Sequence, residues 1–216
     1  MVRAERQRPA YVWMLVGIVV LYAAIIGFGE TDAAGPLRVT VLAVVVWNAS
    51  RLRSGTRERR IALAMGSVAV VLTVTVSLVS PPRTVDAVVA ACSLLLTATA
   101  IANIASTLRS TLRAKQAVEV STVLGVLCIY LMFALLFANL HQFFATFTHG
   151  YLNGTPDPPT PSVLLYFSVI TLTTVGFGDI TPATEAAQAI TVVEALTGQL
   201  YLVSVVAGVV GGWKRA

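Results

Sequence analysis

Long apolar runs separated by short polar segments dominate this chain. Six runs reach or approach the roughly 17–25 residues that a helix needs to cross a bilayer. A seventh run, at 162–172, is too short to span and lies between the fifth and sixth, where a re-entrant element fits. The pattern predicts an all-α integral membrane protein with six transmembrane helices. The predicted spans are 11–28, about 33–49, 61–79, 85–106, 118–147 and about 186–213.

The composition agrees with this pattern and excludes two broad classes of protein. Apolar residues make up 56% of the 216 residues and charged residues only 12%, whereas a soluble domain carries about 25% charged residues. Because too few polar residues remain to cover a water-soluble globule, a soluble enzyme and a disordered chain are both excluded. Both cysteines lie inside apolar runs, which offers no disulfide framework or zinc site. We therefore expect no enzyme activity and no cofactor.

The basic residues predict which side of the membrane each loop faces. All 15 lysines and arginines except Arg38 and Arg83 lie before the first helix, between the second and third, after the fourth, or at the C-terminal end. Cytoplasmic loops are enriched in Lys and Arg, so we predict a multi-pass plasma-membrane protein with both termini in the cytoplasm. The net charge of +5 then indicates contact with anionic lipid headgroups rather than with nucleic acid.

The segment between the fifth and sixth apolar runs carries the candidate chemistry. It reads TLTTVGFGDITP over 171–182 and follows a predicted pore helix at 162–173. Gly176 and Gly178 permit positive φ without a Cβ clash, which lets neighbouring carbonyls turn toward one side. Such carbonyls can replace the water shell of a cation, and the negative C-terminal end of the pore helix also favours a cation.

This motif resembles the selectivity filter of the potassium channels. The matching residues are Thr174, Val175, Gly176, Phe177, Gly178 and Asp179, with Phe177 in the place of the commoner tyrosine. The resemblance implies that the carbonyls of 174–177 and the Thr174 hydroxyl bind K⁺, which is the permeant ion and not a cofactor. Because each chain has one such loop, it also implies a homotetramer in which each chain has three identical subunits as partners.

The resemblance divides the chain into two predicted domains. Residues 117–216 form a pore domain of outer helix, pore helix, filter and inner helix. Residues 1–116 form a four-helix domain that resembles a voltage sensor in shape, with 106–116 as a linker along the membrane surface. Its fourth helix has no basic residue between Arg83 and Arg109. A helix without charges does almost no electrical work in the membrane field, so we expect weak voltage dependence.

Two aromatic residues are predicted to support the filter from its front. Tyr166 and Phe167 align with two neighbouring tryptophans of many potassium channels. We expect the Tyr166 hydroxyl to donate a hydrogen bond to the Asp179 carboxylate. We also expect the Phe167 and Phe177 rings to pack edge to face.

Glu194 is a carboxylate inside a membrane helix, which is energetically expensive and marks a candidate functional residue. We expect it to brace the pore helix through Ser168, Thr171 or Thr173, rather than to bind ions. His141 and His149 are expected to be ordinary interfacial residues, with sensing of external protons as the alternative. The loop at 148–161 is expected to be an exposed turret.

The inner helix is expected to line an ion cavity. Gly198 lies where related channels carry a hinge glycine, and close helix packing is the alternative role that its small size allows. One stripe at spacings of three and four residues would face the ion path and make a mostly apolar constriction that closes by dewetting. The stripe consists of Gln199, Leu202, Val206 and Val210.

The sequence therefore predicts a potassium-selective channel that conducts passively down the electrochemical gradient. Two alternatives stay open. The first is a weakly selective cation channel, because Phe177 departs from tyrosine. The second is a non-conducting membrane scaffold or regulatory subunit that keeps the fold of the filter.

Overall fold

The computed structural model describes residues 2–28, 34–51, 56–79, 82–113 and 120–213, and the side chains of 11–27, 39–50, 60–79, 83–109, 120–205 and 207–208. This part of the chain is almost entirely helical. In chain order the elements are α1 (Val2–Phe28), α2 (Ala34–Arg51), α3 (Thr56–Val79), α4 (Pro82–Arg113), α5 (Val120–Phe147), β1 (Leu152–Asn153), α6 (Pro161–Leu172), β2 (Thr181–Pro182) and α7 (Glu185–Trp213). Each apolar run predicted to be helical lies within one of these helices, apart from one or two residues at some ends.

Four helices within the described residues are long and apolar enough to cross a membrane. These segments are Arg60–Val79, Arg83–Arg109, Val120–Phe147 and Glu185–Val205. The described apolar parts of α1 and α2, Tyr11–Gly27 and Val39–Ser50, are shorter, as is α6. Spanning by α3, α4, α5 and α7 is thus supported by length and composition, whereas spanning by α1 and α2 stays a prediction.

The fourth helix is longer than the sequence pattern predicted. We expected a separate linker from residue 106, but α4 continues without a break to Arg113. No glycine or proline occurs between residues 83 and 113 to stop it. The remaining predicted linker residues, 114–116, lie outside the described residues.

Two of the four N-terminal helices, α1 and α4, pack directly on the pore half of the same chain, and α2 and α3 pack on the other N-terminal helices. One continuous apolar core joins α1, α2 and α4 to α5. Within it, the Tyr22 hydroxyl donates to the Leu131 carbonyl at 2.8 Å, and Gly125 leaves just enough room for the Tyr11 ring. Lipid is as apolar as these side chains, so close packing and hydrogen bonds, rather than exclusion of water, hold such helices together.

The turret is tied to the segment that follows the filter. Strands β1 and β2 pair antiparallel, with Leu152 opposite Pro182 and Asn153 opposite Thr181. Tyr151 and Leu152 are buried, so the prediction of an exposed loop is wrong for these two residues. Apolar side chains at these two positions fill a small core with residues of α5, α6 and α7.

Candidate functional site: the filter loop and its supports

The pore helix α6 begins and ends with recognisable caps. The Thr160 hydroxyl accepts from the Val163 N–H at its start, where Pro161 occupies a position that needs no N–H. At the other end the Thr173 N–H donates to the Val169 carbonyl and the Thr174 N–H to the Thr171 carbonyl. The helix thus ends directly at the first residue of the filter motif.

The filter loop turns its N–H groups back toward the pore helix. The Ile170 carbonyl accepts from the N–H of Val175 at 2.9 Å and from that of Gly176 at 3.1 Å. In a trans peptide the carbonyl points opposite to the N–H of the same unit. The carbonyls of Thr174 and Val175 therefore point away from α6, as ion ligands at a pore must.

Every second residue of the filter loop has a left-handed backbone. The φ angles of Thr174, Gly176 and Gly178 are 60°, 48° and 79°. The two glycines adopt such angles without strain, but a β-branched threonine does so only where the surroundings impose it, at a cost of about 1–3 kcal/mol. The glycine positions followed from the sequence, whereas the left-handed Thr174 did not.

The side chains of the filter lie on the surface of the single chain. Residues 174–179 are all exposed, and the Phe177 ring is 70% exposed. Residues of α6 directly behind them, including Ile170 and Phe167, are buried. The loop thus presents one face outward and is anchored to its own chain by the other.

The predicted hydrogen bond at the front of the filter is confirmed. The Tyr166 hydroxyl donates to Asp179 Oδ2 at 2.8 Å. This bond to a carboxylate raises the pKa of Tyr166, because the phenol must keep its proton to donate it. Whether the bond supports the filter in operation stays a prediction.

The predicted contact between the two phenylalanine rings is wrong within the chain. Phe167 is buried and packs edge to face on the His141 ring, with ring centroids 5.3 Å apart. One helical residue corresponds to about 100° of rotation. When Tyr166 faces the filter, its neighbour Phe167 therefore faces α5, away from the exposed ring of Phe177.

Glu194 contacts a residue that the sequence argument did not assign to it. Its Oε2 lies 3.1 Å from Nε2 of His141, and both side chains are fully buried. Nδ1 of His141 in turn lies 2.8 Å from the Tyr151 hydroxyl. The expectation of an interfacial His141 is therefore wrong: it joins the outer helix, the inner helix and the turret behind the filter.

The predicted partners of Glu194 on the pore helix are only partly found. Ser168 lies beside the Glu194 carboxyl, yet Ser168 Oγ and Glu194 Oε1 form no hydrogen bond of ordinary geometry. The Thr173 hydroxyl instead donates to the Val169 carbonyl at 2.7 Å. Glu194 is thus held mainly from α5 rather than from α6.

The three residues of this buried polar cluster differ in how visible they are in the sequence. His141 and Glu194 are polar groups in long apolar helices, and such groups in a membrane usually face the protein interior and pair with one another. That rule indicates that each of the two has a buried polar partner, but it does not say which one. Tyr151 carried no comparable signal, because a tyrosine in a loop is ordinary. Its burial, reinforced by the Glu194 carboxylate, raises the pKa of its phenol.

The inner helix packs closely behind the end of the pore helix. A Cβ on Gly198 would collide with the Leu172 carbonyl oxygen, which also accepts a hydrogen bond from the Tyr130 hydroxyl at 3.1 Å. The close-packing role of Gly198 is therefore observed, and its role as a hinge stays a prediction.

Two of the four side chains in the predicted cavity stripe belong to the part of the chain that the structure describes. Gln199 and Leu202 lie on the exposed side of α7, opposite the side on which Tyr201 donates to the Val126 carbonyl of α5. The side chains of Val206 and Val210 lie outside the described ones. Among the described residues no group of three or more His, Cys, Asp or Glu is arranged to hold a metal ion.

Comparison with known proteins addresses the pore half of the chain. Residues 125–211 match the family model described as "Ion channel", a segment that runs from α5 through the filter into α7 and covers less than half of the chain. A search of curated proteins finds no match. Together with the apolar helices, the family match supports an ion channel in a multi-pass membrane protein.

Proposed function

We propose that this chain is one subunit of a homotetrameric, potassium-selective channel of the plasma membrane. It conducts K⁺ passively and is not an enzyme. Three identical subunits complete the pore, both termini lie in the cytoplasm, and the basic cytoplasmic segments contact anionic lipid headgroups.

The observation that carries this proposal is the backbone of the filter loop. Left-handed φ angles alternate along 174–178, and the N–H groups of Val175 and Gly176 are held by Ile170. This combination leaves successive carbonyls free on the side away from the protein. A row of carbonyls is the ligand set that replaces the hydration shell of K⁺.

The exposure of the filter supports a pore shared by several chains. A single loop supplies ligands on one side of an ion only, whereas a dehydrated cation must be surrounded. Phe177 and Val175 are large apolar side chains left on the surface of one chain. Other copies of the chain around a fourfold axis would cover these side chains and complete the ring of carbonyls.

The charge pattern of α4 supports weak voltage dependence. Between Arg83 and Arg109 the helix contains no basic residue and one acidic residue, Asp86. Moving one elementary charge through 100 mV is worth about 2.3 kcal/mol, so steep voltage dependence requires several moving charges. Between Arg83 and Arg109, α4 carries no set of basic residues that could move in this way.

Reconstitution tests the proposal directly. Liposomes that carry the purified protein, first shown to be tetrameric, are loaded with K⁺ and placed in buffer low in K⁺. The outward K⁺ leak makes their interior negative, so an external K⁺ tracer should accumulate inside, and accumulation should stop when the K⁺ gradient is collapsed. Equal uptake of Na⁺ would favour the weakly selective cation channel. Correct tetramers without any ion flux would favour the scaffold or regulatory subunit.

A further inference from the structure

A chain of contacts links the inner helix to the outer mouth of the filter. It begins at the Glu194 carboxyl on α7, passes through the His141 imidazole on α5 and reaches the Tyr151 hydroxyl in the turret. Among the described side chains, these three are brought together from three separate elements, and all three are fully buried.

From Tyr151 the series of contacts continues through backbone hydrogen bonds to the segment that follows the filter. The Tyr151 carbonyl accepts from the Ala183 N–H at 3.2 Å. The next two turret residues form strand β1, which pairs with β2. A Cβ on Gly154 would collide with the Asp179 carbonyl, so the turret also touches the last residue of the filter motif.

We propose that Glu194 and His141 are positioning residues for the outer mouth, acting through Tyr151 and the β1–β2 pair. This inference rests on the proposed function for its effect on conduction. The position of the inner helix is thereby transmitted to the residues just outside the filter, along a path that does not pass through the pore helix.

The possible protonation states of Glu194 and His141 explain why these residue types are suited to the role. A neutral imidazole has one donor and one acceptor. If Glu194 keeps its proton, it donates to Nε2 and Nδ1 donates to Tyr151. If the proton moves to His141, both ring nitrogens donate, and the pair is still neutral overall. In both arrangements the three groups stay connected, and a buried isolated charge is avoided.

The orientation of Tyr151 depends on this connection. Its ring lies 5.7 Å from the His141 ring and inclined to it by 66°. The hydroxyl is the one polar group of the Tyr151 side chain and makes its hydrogen bond to Nδ1 of His141. Loss of that bond leaves a buried polar atom without a partner, which is more costly than loss of an exposed hydrogen bond. The turret would then relax away from β2.

The first test measures the outer mouth without any ion flux. Tyr151→Phe removes one hydroxyl and keeps the ring. In tetramers in lipid nanodiscs, hydrogen exchange of the peptide covering 181–183 should become about three- to tenfold faster than in the wild type. Tyr201→Phe is the matched control, because it also removes a tyrosine hydroxyl bond of 2.8 Å, here a partly buried one to the Val126 carbonyl. The control should leave exchange at 181–183 unchanged.

Two variants of Glu194, at the other end of this series of contacts, separate a positioning role from simple packing. Glu194→Leu fills similar space without a polar atom and should accelerate exchange at 181–183 as much as Tyr151→Phe does. Glu194→Gln should restore slow exchange, because its amide can donate to Nε2 of His141. Combining Tyr151→Phe with Glu194→Leu should add little to either change alone, because both cut the same path.

The second test measures conduction in the same variants. Under a sustained K⁺ gradient, flux should decline several-fold faster in Tyr151→Phe than in Tyr201→Phe, and Glu194→Gln should decline at the wild-type rate. A wild type that carries no selective flux would refute the proposed function, while the exchange measurements still decide the positioning role. Unchanged exchange at 181–183 in Tyr151→Phe, or additive effects in the double variant, would overturn the positioning role whatever the flux.

Discussion

The exposed side of the filter loop, here called its front, and the buried side, its back, are built in opposite ways. At the front, residues 174–179 are exposed on the single chain, and one hydrogen bond from Tyr166 holds Asp179. At the back, His141, Glu194 and Tyr151 are fully buried and bonded to one another. The buried support thus lies within one chain, whereas the exposed side is the one that other subunits complete in the proposed channel. Substitutions in the backbone of 174–178 should accordingly abolish selective conduction, whereas substitutions in the supports should change stability or how long conduction lasts.

The largest effect is expected from a substitution on the ion-facing side. Gly176→Ala places a Cβ on a residue whose φ is 48°, which costs on the order of 1–2 kcal/mol in each subunit. Selective K⁺ flux should be abolished, while the tetramer still assembles in the membrane. Flux in liposomes and size-exclusion chromatography measure the two properties.

A glycine outside the filter provides the control for this substitution. Gly150 also has positive φ and open space around its Cβ position, but it lies in the turret. Gly150→Ala carries a similar backbone strain and should keep selective conduction. Selective flux in Gly176→Ala, or its loss in both variants, would show that the two faces do not divide conduction and support as described.

The next largest effect is expected at the contact between the inner helix and the pore helix. Gly198→Ala drives a Cβ into the Leu172 carbonyl, whereas Gly208→Ala, on the same helix, meets no atom within 4 Å. Overpacking of this kind costs about 1–3 kcal/mol. The thermal unfolding midpoint of the tetramer should fall in Gly198→Ala only. Equal midpoints in the two variants would contradict the close packing behind the filter.

A smaller effect is expected from the single bond at the front. Tyr166→Phe removes the donor to Asp179 without changing the ring, so K⁺ flux should decline several-fold faster under a sustained gradient, with selectivity retained. Phe177→Tyr is the comparison, and it should change little, because the aligned residue Phe167 faces His141 and has no polar atom to offer. If K⁺ flux through Tyr166→Phe declines at the wild-type rate, the hydrogen bond from Tyr166 to Asp179 does not support the filter.

The smallest effect is expected from membrane voltage. With no basic residue between Arg83 and Arg109 in α4, open probability in symmetric K⁺ should vary little over a wide voltage range. Single-channel recording in planar bilayers measures it. A steep curve equivalent to several moving charges would locate a voltage sensor in the N-terminal half.

The sequence predicted the helices and the two positive-φ glycines of the filter loop, because their signals are local. Apolar runs and the positions of Gly176 and Gly178 depend only on neighbouring residues. The Tyr166–Asp179 bond was also predictable, since both residues flank one short loop and the resemblance supplied the alignment. The structure differs where distant elements meet. Tyr151 is buried because β1 pairs with β2, and Phe167 faces His141 because of how α6 packs on α5.

Polar pairs inside the membrane lie between these two cases. His141 and Glu194 each stand out in an apolar helix, but their separation in sequence is large, and one serine and two threonines were competing partners for Glu194. The general cost of burying ionisable groups indicates that partners exist. It does not choose among them, and the packing of α7 against α5 and α6 makes that choice.

The reversal potential under bi-ionic conditions tests the central claim most directly. Tetramers in planar bilayers would be recorded with K⁺ on one side and an equal concentration of Na⁺ on the other. If the carbonyls of 174–177 form a potassium filter, the current should reverse only at a large potential of the sign set by K⁺ alone, and Gly150→Ala should behave in the same way. A reversal potential near zero in the wild type would contradict potassium selectivity.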